Sequence, residues 1–145
     1  MPITDTTTNR AYQKPNIANA LSDDVARIRS GLDSIDTDMA TVLPKYTQTV
    51  NAVSALDIDC SLGNYFTKTI SADSTFTVSN VPSTKAYSFT LELTHTSGTI
   101  TWFSGVQWPS GTAPTLTTGK THLFMFLSDD GGTRWRASSL INYTT

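Results

Sequence analysis

Between residues 21 and 42, seven apolar residues recur at alternating intervals of four and three, and this spacing constrains the fold more than any other feature of the chain. They are Leu21, Val25, Ile28, Leu32, Ile35, Met39 and Val42. Residues spaced in this way lie on one narrow strip of an α-helix, at heptad positions a and d. Globular helices usually present a wider apolar face. The spacing therefore predicts a coiled coil, with an amphipathic helix packed on its own domain as the alternative.

The residue types in the heptads favour three strands. Isoleucine occupies two d positions, and a branched residue there, with Val25 at an a position, favours a trimer over a dimer. In the same register Asp24 is at g and Arg29 at the following e position, which predicts an ion pair between neighbouring parallel helices. Pro44 disfavours helical backbone at the residue before it, so the helix should end there.

The segments on either side of the helix have no comparable periodicity. Residues 1–15 are polar and rich in threonine, so we expect an arm that is ordered only by a partner. Its Arg10, Tyr12 and Pro15 are the candidates for docking into grooves on that partner. The helical region covers residues 16–43. Residues 44–55 form a linker whose pattern does not decide between helix and extended chain.

From residue 56 onwards the apolar period changes to two, which is typical of half-buried strands. Serine and threonine make up more than a quarter of the chain and suit strands better than helices. We expect the longest strand at residues 86–95, a densely apolar strand at 121–128, a hairpin at Gly63-Asn64 and a turn at 129–132. The predicted fold class is thus α+β. An N-terminal arm and a short parallel trimeric coiled coil precede an antiparallel, jelly-roll-like β-sandwich head over residues 56–145.

Charge and hydropathy argue against two kinds of partner. The net charge is −2 and the isoelectric point is near 5.5, whereas nucleic-acid-binding domains usually carry a basic patch. No apolar run approaches the length of about 20 residues that a membrane-spanning helix needs. We therefore expect neither nucleic-acid binding nor membrane insertion. Cys60 is the single cysteine and lies on the apolar side of its strand, where we expect it to be buried.

The polar residues do not suggest catalysis. The two histidines, His95 and His122, are isolated in predicted strands and match no triad or metal-ligand spacing. Asp57 and Asp59 share one strand face, which favours a solvated surface over a pair of glycosidase carboxylates. The acidic pair at 129–130 precedes two glycines, as in an ordinary turn. We therefore predict no catalytic residues, no metal site, no cofactor and no enzymatic activity.

An aromatic residue beside a polar loop is the best candidate for ligand contact. Trp108 precedes a loop rich in proline, glycine and threonine that contains Ser110, Thr112 and Thr115. An aromatic ring together with hydroxyl groups suits a host-cell glycan as receptor. The alternative is that this ring fills the small core or a seam between subunits.

Two stretches of the chain resemble bacteriophage tail-fibre and virion spike proteins. The first is TNRAY at 8–12, LSDDVARIR at 21–29 and IDTD at 35–38, which looks like an N-terminal attachment segment. The second is VQWPSGTAPTLT at 106–117, continued by DGGTRW at 130–135, which looks like a C-terminal β-domain. No shaft lies between these stretches, so the expected protein is a short spike.

The resemblance implies a function. We expect a structural virion protein, a homotrimeric fibre or spike that is assembled in the host cytoplasm and displayed on the virion surface. Its N-terminus would attach to other virion proteins of the tail or capsid, and its head would contact the host surface. The alternatives are a head decoration protein without a specific receptor and a glycan-degrading spike.

Overall fold

The computed structural model describes residues 5–42 and 48–144, which fall into two compact units. In the first unit, two short strands, β1 (Asp5–Thr6) and β2 (Gln13–Lys14), precede the helix α1 (Leu21–Val42). The helix begins and ends at the first and last residues of the heptad pattern, so the helix over residues 21–42 is confirmed. Residues 16–20, which the predicted helical region included, are not helical. The proposed stop at Pro44 lies outside the described residues.

Residues 5–15 of the N-terminal arm are folded in the absence of a partner, which corrects the expectation of an unordered segment for this part of the arm. Strands β1 and β2 pair antiparallel, with Asp5 opposite Lys14, and form a hairpin that packs on α1. The turn is closed by hydrogen bonds from the Thr7 amide to the Tyr12 carbonyl (2.9 Å) and from the Ala11 amide to the Thr7 carbonyl (3.0 Å). The hairpin is ordered because it packs on the helix of its own chain, which takes the place of an external partner.

The second unit is built of strands. Its main sheet has six strands in the order β10-β12-β11-β8-β5-β3, and β4-β7 and β6-β9 form separate two-stranded ladders. The strands are β3 (Val50–Ala52), β4 (Asp57–Asp59), β5 (Tyr65–Ile70), β6 (Ser74–Thr75), β7 (Thr77–Ser79), β8 (Tyr87–His95), β9 (Ile100–Thr101), β10 (Val106–Gln107), β11 (Lys120–Ser128) and β12 (Trp135–Tyr143). With the helix, this makes an α+β protein, as predicted.

The pairing within the sheet is mixed, so the prediction of an antiparallel head is wrong in this respect. Strand β5 pairs parallel with both β3 and β8, and β4 pairs parallel with β7 rather than turning back onto β5 at Gly63-Asn64. Parallel neighbours need a crossover connection of about a dozen residues or more. Residues 53–64 and 71–86 supply these crossovers, and they contain β4, β6 and β7.

The predicted turn at 129–132 does join an antiparallel pair, β11 and β12. Gly131 and Gly132 have φ angles of 70° and 88°, which favour glycine, and the Gly132 amide donates to the hydroxyl of Ser128 at 2.9 Å. The carboxylate of Asp130 accepts hydrogen bonds from that hydroxyl (3.0 Å) and from the Arg134 amide (3.0 Å). The acidic residues of this turn thus stabilise the hairpin, as the turn interpretation predicted.

An aromatic core lies on one face of the six-stranded sheet. Phe89, Phe126 and Trp135 are almost fully buried, and the ring centroids of Phe89 and Phe126 are 5.0 Å apart. Ile58 of β4 and Phe76, which follows β6, belong to the same buried cluster, so the small ladders complete the core. Cys60 is buried there as predicted, and its burial raises the pKa of the thiol to about 11.

Both histidines are buried beside each other, with ring centroids 6.2 Å apart. Nδ1 of His122 accepts a hydrogen bond from the Asn142 amide (3.2 Å), and Nε2 lies 3.2 Å from the carbonyl of Thr117. The Nε2-protonated tautomer satisfies both contacts because it donates to the carbonyl. Protonation of Nδ1 would place a second donor against the Asn142 amide, so this arrangement requires a neutral ring.

We expect the head to lose stability as the pH falls below about 6.5 because of His122. Burial is the main cause that lowers the pKa of this imidazole from its ordinary value of 6.5. Between pH 6.5 and the lower pKa of the folded state, the unfolded chain binds a proton that the folded chain does not. The contribution of His122 to the free energy of unfolding therefore declines as the pH falls through this range. Thermal unfolding between pH 5 and 8 measures the decline. His122→Asn, which retains an acceptor, should show a smaller decline; an identical pH profile would contradict the assignment.

Candidate functional site

The exposed face of α1 is the most unusual surface in the first unit. Six of its seven heptad residues are exposed in the single chain, with Leu21 at 76% and Leu32 at 61%, and Val42 is half-buried. Burying a leucine or isoleucine side chain stabilises a protein by about 1.5–3 kcal/mol. A helix that leaves a continuous apolar row in water therefore gains most by pairing with further helices.

A different face of the same helix is already covered by its own hairpin. Asp24 and Arg27 are both buried and their side chains approach to 3.4 Å. The guanidinium of Arg27 also donates to the carbonyls of Lys14 (3.0 Å) and Asp5 (2.8 Å), one from each strand. Arg27 thus fastens both strands of the hairpin to the helix.

Gly31 allows this close packing. A Cβ atom at this position would lie 3.0 Å from the carbonyl oxygen of Gln13, which is tighter than ordinary van der Waals contact. A glycine within a helix costs roughly 1 kcal/mol relative to alanine. Here the glycine permits the strand backbone to approach the helix, and the sequence pattern alone gave no reason for it.

Asp24 has partners within its own chain, which does not favour the predicted ion pair between Asp24 and Arg29 of neighbouring helices. Asp24 accepts hydrogen bonds from the Asn16 amide (3.0 Å) and the Asn19 side chain (2.9 Å), so it is bound within its own chain. The bond from Asn19 is the main cause that lowers the pKa of Asp24. Arg29 is exposed and remains available to another molecule. A pair between Asp24 and Arg29 of a neighbouring helix would have to compete with these bonds, and it stays a prediction.

Two of the three predicted anchor residues contact the helix of their own chain. The hydroxyl of Tyr12 donates to Asp38, and Arg10 lies 3.3 Å from the same carboxylate. The hydrogen bond to Asp38 is the main cause that raises the pKa of Tyr12. Arg10 and Pro15 are exposed. The role of these residues in attachment stays a prediction, but they would be presented to a partner on a folded hairpin.

Trp108, the leading candidate for receptor contact, packs against the aromatic core of the second unit. It is half-buried, and its ring lies 5.4 Å from that of Trp102 and 5.9 Å from that of Phe124. The exposed aromatic surface expected at this position is therefore not observed. Ser110, Thr112 and Thr115 are exposed on the following loop.

Part of that loop borders a groove. A depression of about 300 Å³ is lined by residues of the β8–β9 connection, by Trp102 directly after β9, and by Thr115 and Leu116 of the loop. The structure brings Thr115 together with an indole ring, but the ring is that of Trp102. Ser110 and Thr112 do not line this groove.

We expect Trp108→Ala to destabilise the head by about 2–4 kcal/mol, because removing a large aromatic side chain from a packed cluster leaves a cavity. Denaturant unfolding measures the change, and Trp108→Phe serves as a matched control that keeps a ring in place. Loss of binding to host cells with an unchanged free energy of unfolding would contradict the core assignment.

The aspartates considered as a carboxylate pair have structural partners. Asp57 accepts hydrogen bonds from the hydroxyls of Thr77 (2.6 Å) and Ser79 (2.5 Å) on the paired strand. Asp59 accepts from Ser61 and Asn80, and these bonds lower its pKa. Both side chains thus join β4 to β7 and the turn that follows it.

Neither family models, curated proteins nor solved structures gave a match to this chain. Within residues 5–42 and 48–144, no helix combines the length and apolar character that crossing a bilayer requires. In the same part of the chain, no three histidine, cysteine, aspartate or glutamate side chains are grouped as metal ligands would be.

Proposed function

We propose that this chain is the subunit of a short homotrimeric fibre or spike on a virus particle. The observation that carries the proposal is the exposed apolar row of α1, from Leu21 to Met39, on a helix whose hairpin-bearing face is already occupied. Isoleucine at d positions favours three parallel helices. The sequence resemblance to phage fibre and spike proteins supports a place on a virion.

The hairpin of residues 5–15 is the proposed attachment element. Fastening by Arg27 and Gly31 makes it a fixed part of the helix surface, and a trimer would display three copies around one axis. A partner in the tail or capsid could then engage all three at once, which strengthens weak single contacts through avidity.

The head is the proposed contact with the host, through loop residues such as Ser110, Thr112 and Thr115. The packing of half-buried Trp108 against Trp102 and Phe124 weakens the case for this residue as a receptor contact. This supports a second candidate function, a decoration spike without a specific receptor. Neither proposal includes a catalytic step.

Two measurements test the proposal. Light scattering of the purified protein should give the mass of three chains at micromolar concentration. Cryo-electron microscopy of particles that carry the protein should show a three-fold projection, and its position distinguishes tail from capsid. Particles without the head that still adsorb fully to host cells would exclude a receptor role and leave the decoration function.

A further inference from the structure

The face of the six-stranded sheet opposite the aromatic core carries a second exposed apolar strip. Met125 and Leu127 of β11 are 48% and 42% exposed. Leu140 of β12 is 51% exposed and lies directly across from Leu123. Residues two apart on a strand share a face, so the side chains of this strip are contiguous. Contiguous apolar patches of this kind are typical of interaction surfaces.

A trough of small polar residues runs beside the strip on β8. Thr90 is paired with Met125, and Ser88 with Leu127, so these residues share the outer face. One depression of about 380 Å³ lies between Thr94 and Leu123, and another of about 160 Å³ lies between Thr90 and Met125. The outer face thus carries the protruding apolar strip and, beside it, the hollows of the trough.

Two charged residues on this face have partners within the chain, one a neutral hydroxyl and the other a carboxylate. Glu92 accepts a hydrogen bond from the hydroxyl of Tyr65 at 2.5 Å, and Arg136 lies 3.3 Å from Asp129. Covering the face would therefore leave Arg136 with a counter-ion and Glu92 with a hydroxyl donor, which lowers the cost of burying these two groups although the charge of Glu92 is not neutralised.

A second copy of the chain is the occupant that fits this surface. The proposed trimer already brings copies of the chain together through the exposed heptad row. Only residues 43–49 separate α1 from β3. A segment of seven residues spans at most about 25 Å, so heads on a trimeric coil stay at millimolar effective concentration. In a trimer with a three-fold axis, each head contacts the next through two different surfaces. Here the two surfaces are the apolar strip of one head and the β8 trough of the next.

We infer that the heads of the trimer associate through this outer face, with the strip of Leu123, Met125, Leu127 and Leu140 on one head against the β8 trough of the next. This inference rests on the proposed trimer. It adds a contact between heads that a coiled coil alone does not require.

Thiol protection in the full-length chain tests the contact. Ser138 is exposed and paired with Met125, so Ser138→Cys places a thiol in the strip with little change in volume. Ser83→Cys, in the exposed loop between β7 and β8, is the matched control. The buried Cys60 of the parent protein gives the background. Reaction with a maleimide is followed in the trimer and in the same variants carrying Ile35→Asp.

We expect the thiol at position 138 to react about tenfold more slowly in the trimer than in the dissociated protein. This rate ratio corresponds to neighbouring heads that are in contact about ten times as often as they are apart. The thiol at position 83 should react equally in both. Equal rates at position 138 in a confirmed trimer would overturn the contact between heads and leave the trimeric coil intact. A monomeric parent protein by light scattering would overturn both. Met125→Cys gives a second probe if Ser138→Cys fails to fold.

Discussion

Ile35→Asp should dissociate the assembled protein into monomers. Ile35 is at a d position and is 44% exposed in the single chain, so in a trimer three copies would face one another in the seam. The substitution places three carboxylates at short range in a dry interface, where each uncompensated charge costs several kcal/mol. Light scattering and sedimentation at micromolar concentration measure the mass.

Thr37→Asp is the matched control for this experiment. Thr37 is exposed at the f position of the same helix, so the variant adds the same charge away from the seam and should remain trimeric. Because Ile35 makes no part of the second unit, the head should keep its circular dichroism spectrum in both variants. A trimeric Ile35→Asp protein would show that chains associate through another surface.

Deletion of residues 1–15 should remove the protein from particles and also weaken α1. The deletion uncovers Asp24 and Arg27, which are buried in the intact chain, and takes away the carbonyl partners of the guanidinium. Quantitative blotting of purified particles measures incorporation, and circular dichroism at 222 nm measures helix content. We expect incorporation to fall to background.

Tyr12→Phe separates attachment from folding in this experiment. The variant removes the hydroxyl bonded to Asp38 but keeps the backbone bonds of the hairpin turn. It should retain the helix, so any loss from particles would come from the hairpin surface itself. Full occupancy of particles by the protein without residues 1–15 would place the anchor elsewhere in the chain.

The features that the sequence predicted well depend on local periodicity. The limits of α1 follow from the heptad pattern, and the strand β8, expected at residues 86–95 and observed at Tyr87–His95, follows from alternation. The turn at 129–132 follows from its acidic residues and glycines. In each case the information lies within about ten residues, which is the range over which side-chain period and turn chemistry act.

The features that were missed depend on partners distant in sequence. Alternation in residues 56–62 predicts a strand, but it does not specify whether β4 pairs with β5 or, as observed, with β7. The hairpin on α1 was missed because its strands have only two residues each and are held by Arg27 and Gly31 from the helix. Asp24 and Arg27 three residues apart were a signal, although they could equally have formed an exposed pair.

For the candidate site, the heptad row was assigned from spacing alone, and the structure leaves it exposed within the chain. The receptor assignment of Trp108 relied on its position beside a loop, which says little about which way a ring points. Its contact residues lie on both sides of that loop, Trp102 directly after β9 and Phe124 in β11. Packing of this kind follows from the completed sheet and not from nearby residues.

The strand order of the head has a consequence for how damaged copies behave. The last strand, β12, lies between β10 and β11, so β10 has no edge to join until residues 135–143 have been made. The heptad row of α1 is complete long before that point in synthesis. If the proposed trimer forms, a polypeptide that stops short of Trp135 would therefore still enter coils with intact chains while carrying an open sheet edge, which is prone to aggregation. One truncated chain among three is enough to make the whole trimer defective. Truncations in this region are therefore expected to act dominantly over the intact protein.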